Sequence, residues 1–397
     1  MKRENIAKIS SVSLSVCFVL VLFLLAALTV LSADETFSFF ENRNLAVMPT
    51  LDMEGISDGS YFTAVGEFVK DHAAAREVML KASALMDLKL LRRPVVNDIY
   101  VGEDVLLPYF EYETVDMEKI AADAVTVAEK IEKTASITES YGGKYYFTAI
   151  PCQYMCYEDS YPWYLNSRNE YLDASSSAFF KELEARGVDL IDMMEYYEES
   201  GRPEYFSSTV DHHYGIRGAY DTYLEILRRL GEDTNLSFPT LKEGDFDLTT
   251  LEGRYIGSRS RKIFGLWESD ERLQLILPKD APEFKRYNNG YAVEASLFTL
   301  PENDTDDVLY TTYMGGDVAH TMIDTEREEL PSILIYGESF TNAIETIMWY
   351  SFDEMHSLDM RYYKDMTVDE FIEIVQPDVV VCVRDYSVLL LTDDYGL

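Results

Sequence analysis

The sequence predicts an α/β fold in which a mostly parallel sheet carries helices on both faces. Two observations support this prediction. Short apolar runs, of which residues 379–383 are the most continuous, alternate along the chain with amphipathic stretches. A strand that is buried on both faces has a continuous apolar sequence, which is typical of parallel sheets. The intervening helices supply the crossover connections that parallel strands need, so we expect a sheet between two helical layers.

The apolar pattern places the elements in order along the chain. Helical spacing predicts helices at residues 60–91, 115–138, 174–186, 215–231, 340–351 and 367–375. Apolar runs predict strands at residues 144–150, 188–192, 333–336, 357–362 and 379–383, and a hairpin at 98–107. Residues 232–312 have no clear periodicity and are expected to be rich in loops and strands. We predict one domain over residues 36–397, because no repeat or linker interrupts it.

Composition and charge exclude several classes of function. The 397 residues include 34 Lys+Arg and 71 Asp+Glu, a net charge of −37. Binding to nucleic acid requires basic surface that neutralises phosphates, so it is not expected here. A hydrophobic fraction of 47% is ordinary for a folded protein and excludes wholesale disorder. Four cysteines are too few for a disulfide scaffold, and no P-loop or dinucleotide motif is present, so we predict no cofactor.

The N-terminus predicts where the protein works. Lys2, Arg3 and Lys8 precede an uncharged run over residues 9–33. This run is long enough to cross a bilayer as a helix, which takes roughly 20 residues. Because basic residues stay on the cytoplasmic side, residues 1–33 are predicted as a cytoplasmic tip and membrane anchor, with the remaining chain on the extracellular side of the cell membrane. A cleaved signal peptide, which would release the protein, is the alternative.

One short loop before a predicted helix combines a carboxylate with two imidazoles. Asp211 stands directly before His212 and His213. A carboxylate that orients an imidazole is the arrangement of a general base. In the simpler alternative, Asp211 caps the helix and both histidines are surface residues. The three residues could also bind a metal ion, but no further ligand set at a familiar spacing accompanies them, and we predict no metal.

A serine follows the strand predicted at residues 333–336. Gly337, Glu338 and Ser339 lead from this strand into the next helix. Such a serine lies at the carboxyl edge of the sheet, where ligands bind in open α/β folds. Helix N-terminal N–H groups there can stabilise an oxyanion, although the serine could simply cap the helix. A serine hydroxyl is a poor nucleophile until an imidazole takes its proton, so the two motifs complement each other.

Together these motifs resemble the DHHW family of exported bacterial proteins, which are similar to the SGNH-hydrolase-like domains of alginate O-acetyltransferase proteins. The segments that carry the resemblance are Glu41-Asn42-Arg43, Asp71 to Arg76, Asn97 to Gly102, Asp211-His212-His213-Tyr214, Tyr313 to Asp317, and Gly337-Glu338-Ser339-Phe340. The resemblance implies an SGNH-hydrolase-like (flavodoxin-like) sheet.

The resemblance also implies roles for individual residues. Ser339 would be the nucleophile, His213 the base and Asp211 its orienting partner, because related domains use an Asp-x-His spacing. His212 would be a hydrogen-bonded wall residue. Oxyanion donors would be the N–H groups of Ser339 and Gly315. Three family positions differ here. Tyr214 replaces a tryptophan, Glu338 replaces an aspartate, and Asp317 replaces an asparagine, where a carboxylate would repel an oxyanion.

The resemblance implies an extracytoplasmic O-acyltransferase or esterase, with acetyl as the expected acyl group, that acts on a cell-surface polysaccharide through a Ser–His–Asp triad. Because an exported enzyme cannot draw directly on cytoplasmic acyl donors, a membrane-bound O-acyltransferase is the expected partner. The alternative hypothesis is a catalytically weak or inactive envelope protein that binds glycan or organises an acylation complex.

Overall fold

The computed structural model describes residues 2–31 and 36–391. Its first element is helix α1, Lys2–Leu31. The segment Val12–Thr29 within it is long and apolar enough to cross a membrane, and nothing in the described chain buries it. This helix fits the predicted anchor.

The chain divides into two compact units. The smaller unit comprises Met1–Asn97 and Arg261–Trp267, and the larger one comprises Asp98–Ser260 and Glu268–Leu397. The extracytoplasmic domain predicted over residues 36–397 therefore includes parts of both units, and its boundaries stay a prediction.

After α1, the smaller unit contains short elements. They are β1 (Phe37–Ser38), β2 (Arg43–Asn44), α2 (Met53–Asp58), α3 (Ser60–Asp71), α4 (Arg76–Leu85), a π-helical turn (Met86–Leu90) and β3 (Val95–Val96). The single helix predicted over residues 60–91 is wrong, because the chain breaks between α3 and α4. Asp71 and His72 turn inward there to bond Arg43 and the Ala46 backbone, and Ala75 adopts a left-handed conformation with φ 58°. Periodicity continues across this break because both helices have an apolar face.

The larger unit is built on an eight-stranded sheet. The strands of this unit are β4 (Ile99–Val101), β5 (Leu106–Pro108), β6 (Lys144–Ile150), β7 (Leu190–Asp192), β8 (Phe246–Thr250), β9 (Gln274–Pro278), β10 (Lys285–Asn288), β11 (Tyr291–Val293), β12 (His320–Asp324), β13 (Ile333–Gly337), β14 (Glu354–Asp359) and β15 (Val379–Asp385). The sheet order is β11-β10-β12-β14-β13-β15-β6-β7. The five strands from β14 to β7 are parallel, whereas β10, β11 and β12 add an antiparallel edge.

This sheet confirms the predicted α/β class with its parallel centre. The antiparallel edge was not predicted, because its strands are short and half-exposed and so lack the continuous apolar runs of the centre. β8 and β9 form a separate antiparallel pair within the stretch expected to be loop- and strand-rich.

Helices cover both faces of the sheet. The helices of the larger unit are α5 (Met117–Ser140), α6 (Gln153–Cys156), α7 (Asn169–Ala185), α8 (Met193–Glu199), α9 (Ile216–Asp233), α11 (Thr341–Met348) and α12 (Val368–Val375), and α10 (Ser258–Lys262) begins in this unit. Helices α5, α7 and α12 enclose one core with Tyr145 and Phe147 of β6. Tyr146 points to the opposite face, since side chains alternate along a strand, and its hydroxyl bonds Asp233 of α9.

The candidate site lies at the carboxyl edge of the sheet, as the directions of α9 and β6 show. Asp233 ends α9 near the amino end of β6, where it also lies 4.0 Å from Lys144. The loop that precedes α9 therefore lies at the carboxyl edge. Ser339 follows the carboxyl end of β13 and lies at this same edge.

Candidate active site

Three predicted site residues meet at the carboxyl edge of the sheet. His213 Nε2 lies 2.8 Å from Ser339 Oγ, and His213 Nδ1 lies 2.6 Å from Asp211 Oδ1. All three residues are buried. Neither simpler alternative describes them: the N-cap of α9 is Gly215, and α11 has Phe340 as its N-cap without a side-chain bond. The chain thus brings a serine, an imidazole and a carboxylate into one hydrogen-bonded line.

The Asp211 carboxylate is held in place from two sides. Its Oδ2 accepts the Ser258 backbone N–H at 2.6 Å, and its Oδ1 accepts the His213 backbone N–H at 3.0 Å. This packing needs glycine at position 257, where an added Cβ would lie 2.4 Å from the Val210 carbonyl oxygen. A carboxylate fixed this way bonds the imidazole in one orientation.

Burial sets the protonation state of the pair. Desolvation, helped by the neighbouring His212, lowers the pKa of His213 to about 4. Burial opposes the ionisation of Asp211, but the imidazoles of His213 and His212 hold its pKa well below the usual range. At neutral pH the carboxylate is therefore charged and can only accept, so Nδ1 of a neutral His213 donates to it. Nε2 is then free to accept the Ser339 hydroxyl proton, as a general base must.

An unpredicted residue, Tyr310, contacts both the predicted base and the predicted nucleophile. Its ring lies parallel to the His213 imidazole, with 3.6 Å between centroids and 4° between planes. Its hydroxyl donates to the Ser339 backbone carbonyl at 3.1 Å. Phe340 also packs on the imidazole, with its centroid 4.9 Å away. Tyr310 begins a short 3-10 turn in the stretch without periodicity, so no sequence signal distinguished it from other tyrosines.

The neighbours of the predicted base have defined contacts. The Tyr214 hydroxyl donates to the Phe340 backbone carbonyl and so ties the histidine loop to the start of α11. His212 Nδ1 lies 2.6 Å from the Ser258 hydroxyl, and its side chain is 40% exposed. Asp211, His212 and His213 are close enough to hold a metal ion, but the hydrogen bonds described above already engage Asp211 and both Nδ1 atoms.

The carboxylate of Asp317 is paired. The Asn342 side-chain amide donates to it at 3.0 Å, and Arg361 lies 2.9 Å from its other oxygen. Arg361 also bonds Asp359 at 2.6 Å. Because two carboxylates share the Arg361 guanidinium, it offsets part of the Asp317 charge and lowers the repulsion that Asp317 would exert on an oxyanion. Gly315 adopts φ 78° two residues earlier, and no hydrogen bond joins it to Ser339 within residues 36–391; its donor role stays a prediction.

Glu338, the residue before the predicted nucleophile, is mostly buried. Desolvation raises its pKa to about 7, against the influence of Arg384, whose nearest nitrogen lies 3.7 Å away. In the described part of the chain, no hydrogen bond joins this side chain to Asp211, His213 or Ser339.

The DHHW protein family model matches residues 164–358, a segment that includes Asp211, His213 and Ser339. The predicted resemblance to this family is therefore confirmed. No curated protein sequence matches the chain.

Solved structures are similar to this chain, and the first two named here share its fold. PatB1 from Bacillus cereus, in a structure with a sulfonyl adduct, has a TM-score of 0.61 and 19% identity, covering 73% of this chain and 95% of that one. A DHHW family protein from Eubacterium siraeum has a TM-score of 0.57 and 18% identity, covering 76% and 95%. The O-acetyltransferase domain of Pseudomonas putida AlgJ has a TM-score of 0.46 and 12% identity, covering 75% and 93%.

Proposed function

We propose that this protein is an extracytoplasmic serine-dependent O-acyltransferase or esterase that acts on cell-envelope polysaccharide. The observation that carries the proposal is the buried hydrogen-bonded line from Ser339 through His213 to Asp211. A neutral imidazole between a hydroxyl and a fixed carboxylate is what activation of a serine requires.

The proposed reaction has two halves. In the first, Ser339 Oγ attacks the carbonyl carbon of an acyl donor while His213 Nε2 takes the hydroxyl proton. The resulting oxyanion is stabilised by backbone N–H groups, for which Ser339 and Gly315 are the candidates. The carbon–oxygen bond to the donor breaks, His213 returns the proton to the leaving oxygen, and an acyl-serine remains.

In the second half, a sugar hydroxyl attacks the acyl-serine and His213 takes the proton of this hydroxyl. Collapse of the second oxyanion releases the acylated sugar and returns the proton to Ser339. Water in place of the sugar gives hydrolysis, which is the esterase reaction. Throughout, Asp211 stabilises the imidazolium that forms when His213 holds the extra proton.

The N-terminal helix supports a location at the outer face of the cell membrane. An acyl donor must then reach the enzyme from the membrane side, so a membrane-bound O-acyltransferase is the proposed partner. Acetyl is the proposed acyl group, and the proposed acceptor is an exopolysaccharide or other envelope glycan.

The test combines serine labelling with ester turnover on the full chain in detergent. A fluorophosphonate probe and a sulfonyl fluoride are each applied to the wild type, to Ser339→Ala and to His213→Ala, and hydrolysis of an acetyl ester is measured in parallel. We expect labelling and turnover in the wild type and the loss of both in the two variants. Ser387→Ala serves as the matched control, because Ser387 bonds Asp385 and not His213.

The outcomes separate the two functions under consideration. Labelling that survives in Ser339→Ala would show that another residue is the nucleophile. A folded wild type without labelling or turnover would favour the non-catalytic envelope protein, in which the same fold binds glycan or organises an acylation complex.

A further inference from the structure

A cavity in the larger unit lies between the chain that leaves β5 and the segment that enters α7. It encloses about 420 Å³ and is lined by residues 110–116, the first turns of α5, and residues 166–171. Asn166 and Phe110 form a backbone bridge, and the Asn166 amide donates to the Glu111 carbonyl at 2.9 Å. The two walls are therefore joined and the cavity is part of the fold.

The cavity lies at the same edge of the sheet as the triad. The backbone N–H of Leu106 in β5 donates to the Thr209 carbonyl at 2.9 Å, two residues before Asp211. Phe110, whose ring forms part of the cavity wall, lies four positions after Leu106. At about 3.3 Å per extended residue, the wall begins within about 13 Å of Leu106, and so within about 16 Å of Thr209 in the histidine loop. An oligosaccharide can span this distance.

One cation is held in the cavity with its donors available. The Arg168 guanidinium lies over the Tyr171 ring at 4.5 Å and over the Phe110 ring at 5.6 Å. Within residues 36–391 it makes no salt bridge and no side-chain hydrogen bond. Arg168 also has a left-handed backbone with φ 65°, a conformation that costs energy for a residue with a side chain. The result is a planar set of N–H donors held between two aromatic rings.

The other side chains suit a sugar ring. Tyr112, which also lines the cavity, is 81% exposed and presents an aromatic face to solvent. Aromatic faces stack on the apolar faces of pyranose rings, and a guanidinium can donate to two neighbouring hydroxyl groups at once. Two more exposed aromatic residues, Trp163 and Tyr164, lie in the loop before α7, within three positions of Asn166 in the cavity wall.

The net charge of the cavity lining indicates which kind of glycan can bind. Lys119 is already paired with Asp123 at 2.6 Å, so it does not offset the remaining acidic groups. The lining carries five carboxylates against two cations, a net charge of −3: Glu111, Glu113, Asp116, Asp123 and Glu170 against Lys119 and Arg168. A polyanionic glycan would meet repulsion there, whereas a neutral glycan would not.

We infer that this cavity is an acceptor subsite for a neutral glycan chain, in which Arg168 donates to sugar hydroxyls and Tyr112 stacks on a sugar ring. The acceptor role of this subsite rests on the proposed function, because the bound glycan would present a hydroxyl group to the acyl-serine. It also predicts that uronic-acid polymers are poor acceptors.

The test measures binding rather than turnover. The full chain in detergent is titrated with a β-1,4-linked N-acetylglucosamine pentamer and with an oligouronate of equal length, by calorimetry. We expect the neutral pentamer to bind at least about tenfold more tightly than the oligouronate. Arg168→Ala and Tyr112→Ala should each weaken pentamer binding by about tenfold.

Two matched variants control for unspecific effects. Arg202 lies over the Tyr205 ring at 5.3 Å outside the cavity, and Tyr291 is 77% exposed on β11. Arg202→Ala and Tyr291→Ala should bind the pentamer like the wild type. Because Tyr112 is exposed, its variant is expected to fold, and thermal melting checks this for all four variants.

Three results would overturn the inference. They are no measurable pentamer binding by the wild type, equal losses in Arg168→Ala and Arg202→Ala, or tighter binding of the oligouronate. Fluorophosphonate labelling of the same wild-type preparation keeps the two proposals apart. Labelling without glycan binding refutes the subsite alone, whereas glycan binding without labelling leaves the subsite and refutes the proposed catalysis.

Discussion

Replacing Tyr310 tests whether the stacked ring contributes to the proposed chemistry. The ring covers one face of the His213 imidazole at 3.6 Å, in a buried site from which water is largely excluded. When His213 holds the serine proton it becomes a cation, and a cation over an aromatic face is stabilised by the negative face of the ring. The interaction strengthens as the charge develops, so it lowers the barrier rather than only aiding binding.

The structure allows the two contributions of Tyr310 to be separated. A desolvated cation–π contact contributes about 2 kcal/mol, which is about 30-fold in rate. The hydrogen bond from its hydroxyl to the Ser339 carbonyl, at 3.1 Å, contributes about 1 kcal/mol, or about fivefold. We therefore expect kcat/KM for an acetyl ester to fall about fivefold in Tyr310→Phe and about 30-fold further in Tyr310→Leu.

The assay is ester turnover by the full chain, with the thermal melting temperature measured for each variant. Tyr313 supplies the matched control. It is buried in the same segment, 5.3 Å from the Tyr310 ring, and its hydroxyl donates to the Gln274 carbonyl at 2.7 Å instead. Tyr313→Leu should lower stability about as much as Tyr310→Leu but should not remove the ring from the imidazole.

The reasoning is refuted if Tyr310→Leu and Tyr313→Leu lose the same fraction of kcat/KM at equal stability. It is also refuted if Tyr310→Phe and Tyr310→Leu are equally active, because the ring would then contribute nothing beyond the hydroxyl.

Three further predictions concern protonation and packing. Burial lowers the pKa of His213 to about 4, so kcat/KM should stay level from pH 8 to pH 5 and fall about tenfold per pH unit below pH 4. A fall in kcat/KM that begins near pH 6.5 would contradict the neutral buried imidazole. Tyr214→Phe removes the bond to the Phe340 carbonyl and should lower the free energy of unfolding by about 1 kcal/mol, measured by urea denaturation. Asp71→Asn should destabilise the smaller unit by about 2 kcal/mol at neutral pH, since Asp71 is buried and paired with the half-exposed Arg43. Pairing with Arg43 holds the Asp71 pKa well below its usual range, so the wild type should lose this difference as pH falls below 4, and denaturation at two pH values checks it.

Much of the fold follows from local sequence. The central strand β15 is buried along its whole length, and a continuous apolar run was enough to predict it. The antiparallel strand β12 alternates between buried and half-buried residues and escaped prediction. The break at residues 72–75 depends on bonds from Asp71 and His72 to residues almost 30 positions earlier, which periodicity cannot detect.

The candidate site also combines a contact that is local in the sequence with one that depends on the tertiary structure. Asp211 and His213 lie two residues apart, so their contact is local. The sequence indicated a carboxylate beside two imidazoles, and the resemblance to the family selected His213 over His212. Ser339 lies 126 residues from His213, and only the parallel order of the strands brings β13 and the loop before α9 to one edge. The sequence could indicate that a serine needs a base, but the short distance between Ser339 and His213 depends on the arrangement of the strands in the sheet.

The remaining features depend on contacts that no motif encodes. Tyr310 stacks on the imidazole from a segment without periodicity, and Arg361 reaches Asp317 from the turn after β14. By sequence alone, Asp317 was an uncompensated carboxylate at a position where the family has asparagine. The sequence determined the residue types, their local spacing and the class of fold. The tertiary structure decided which charges are paired and which rings meet, because both depend on distances between residues that are far apart along the chain.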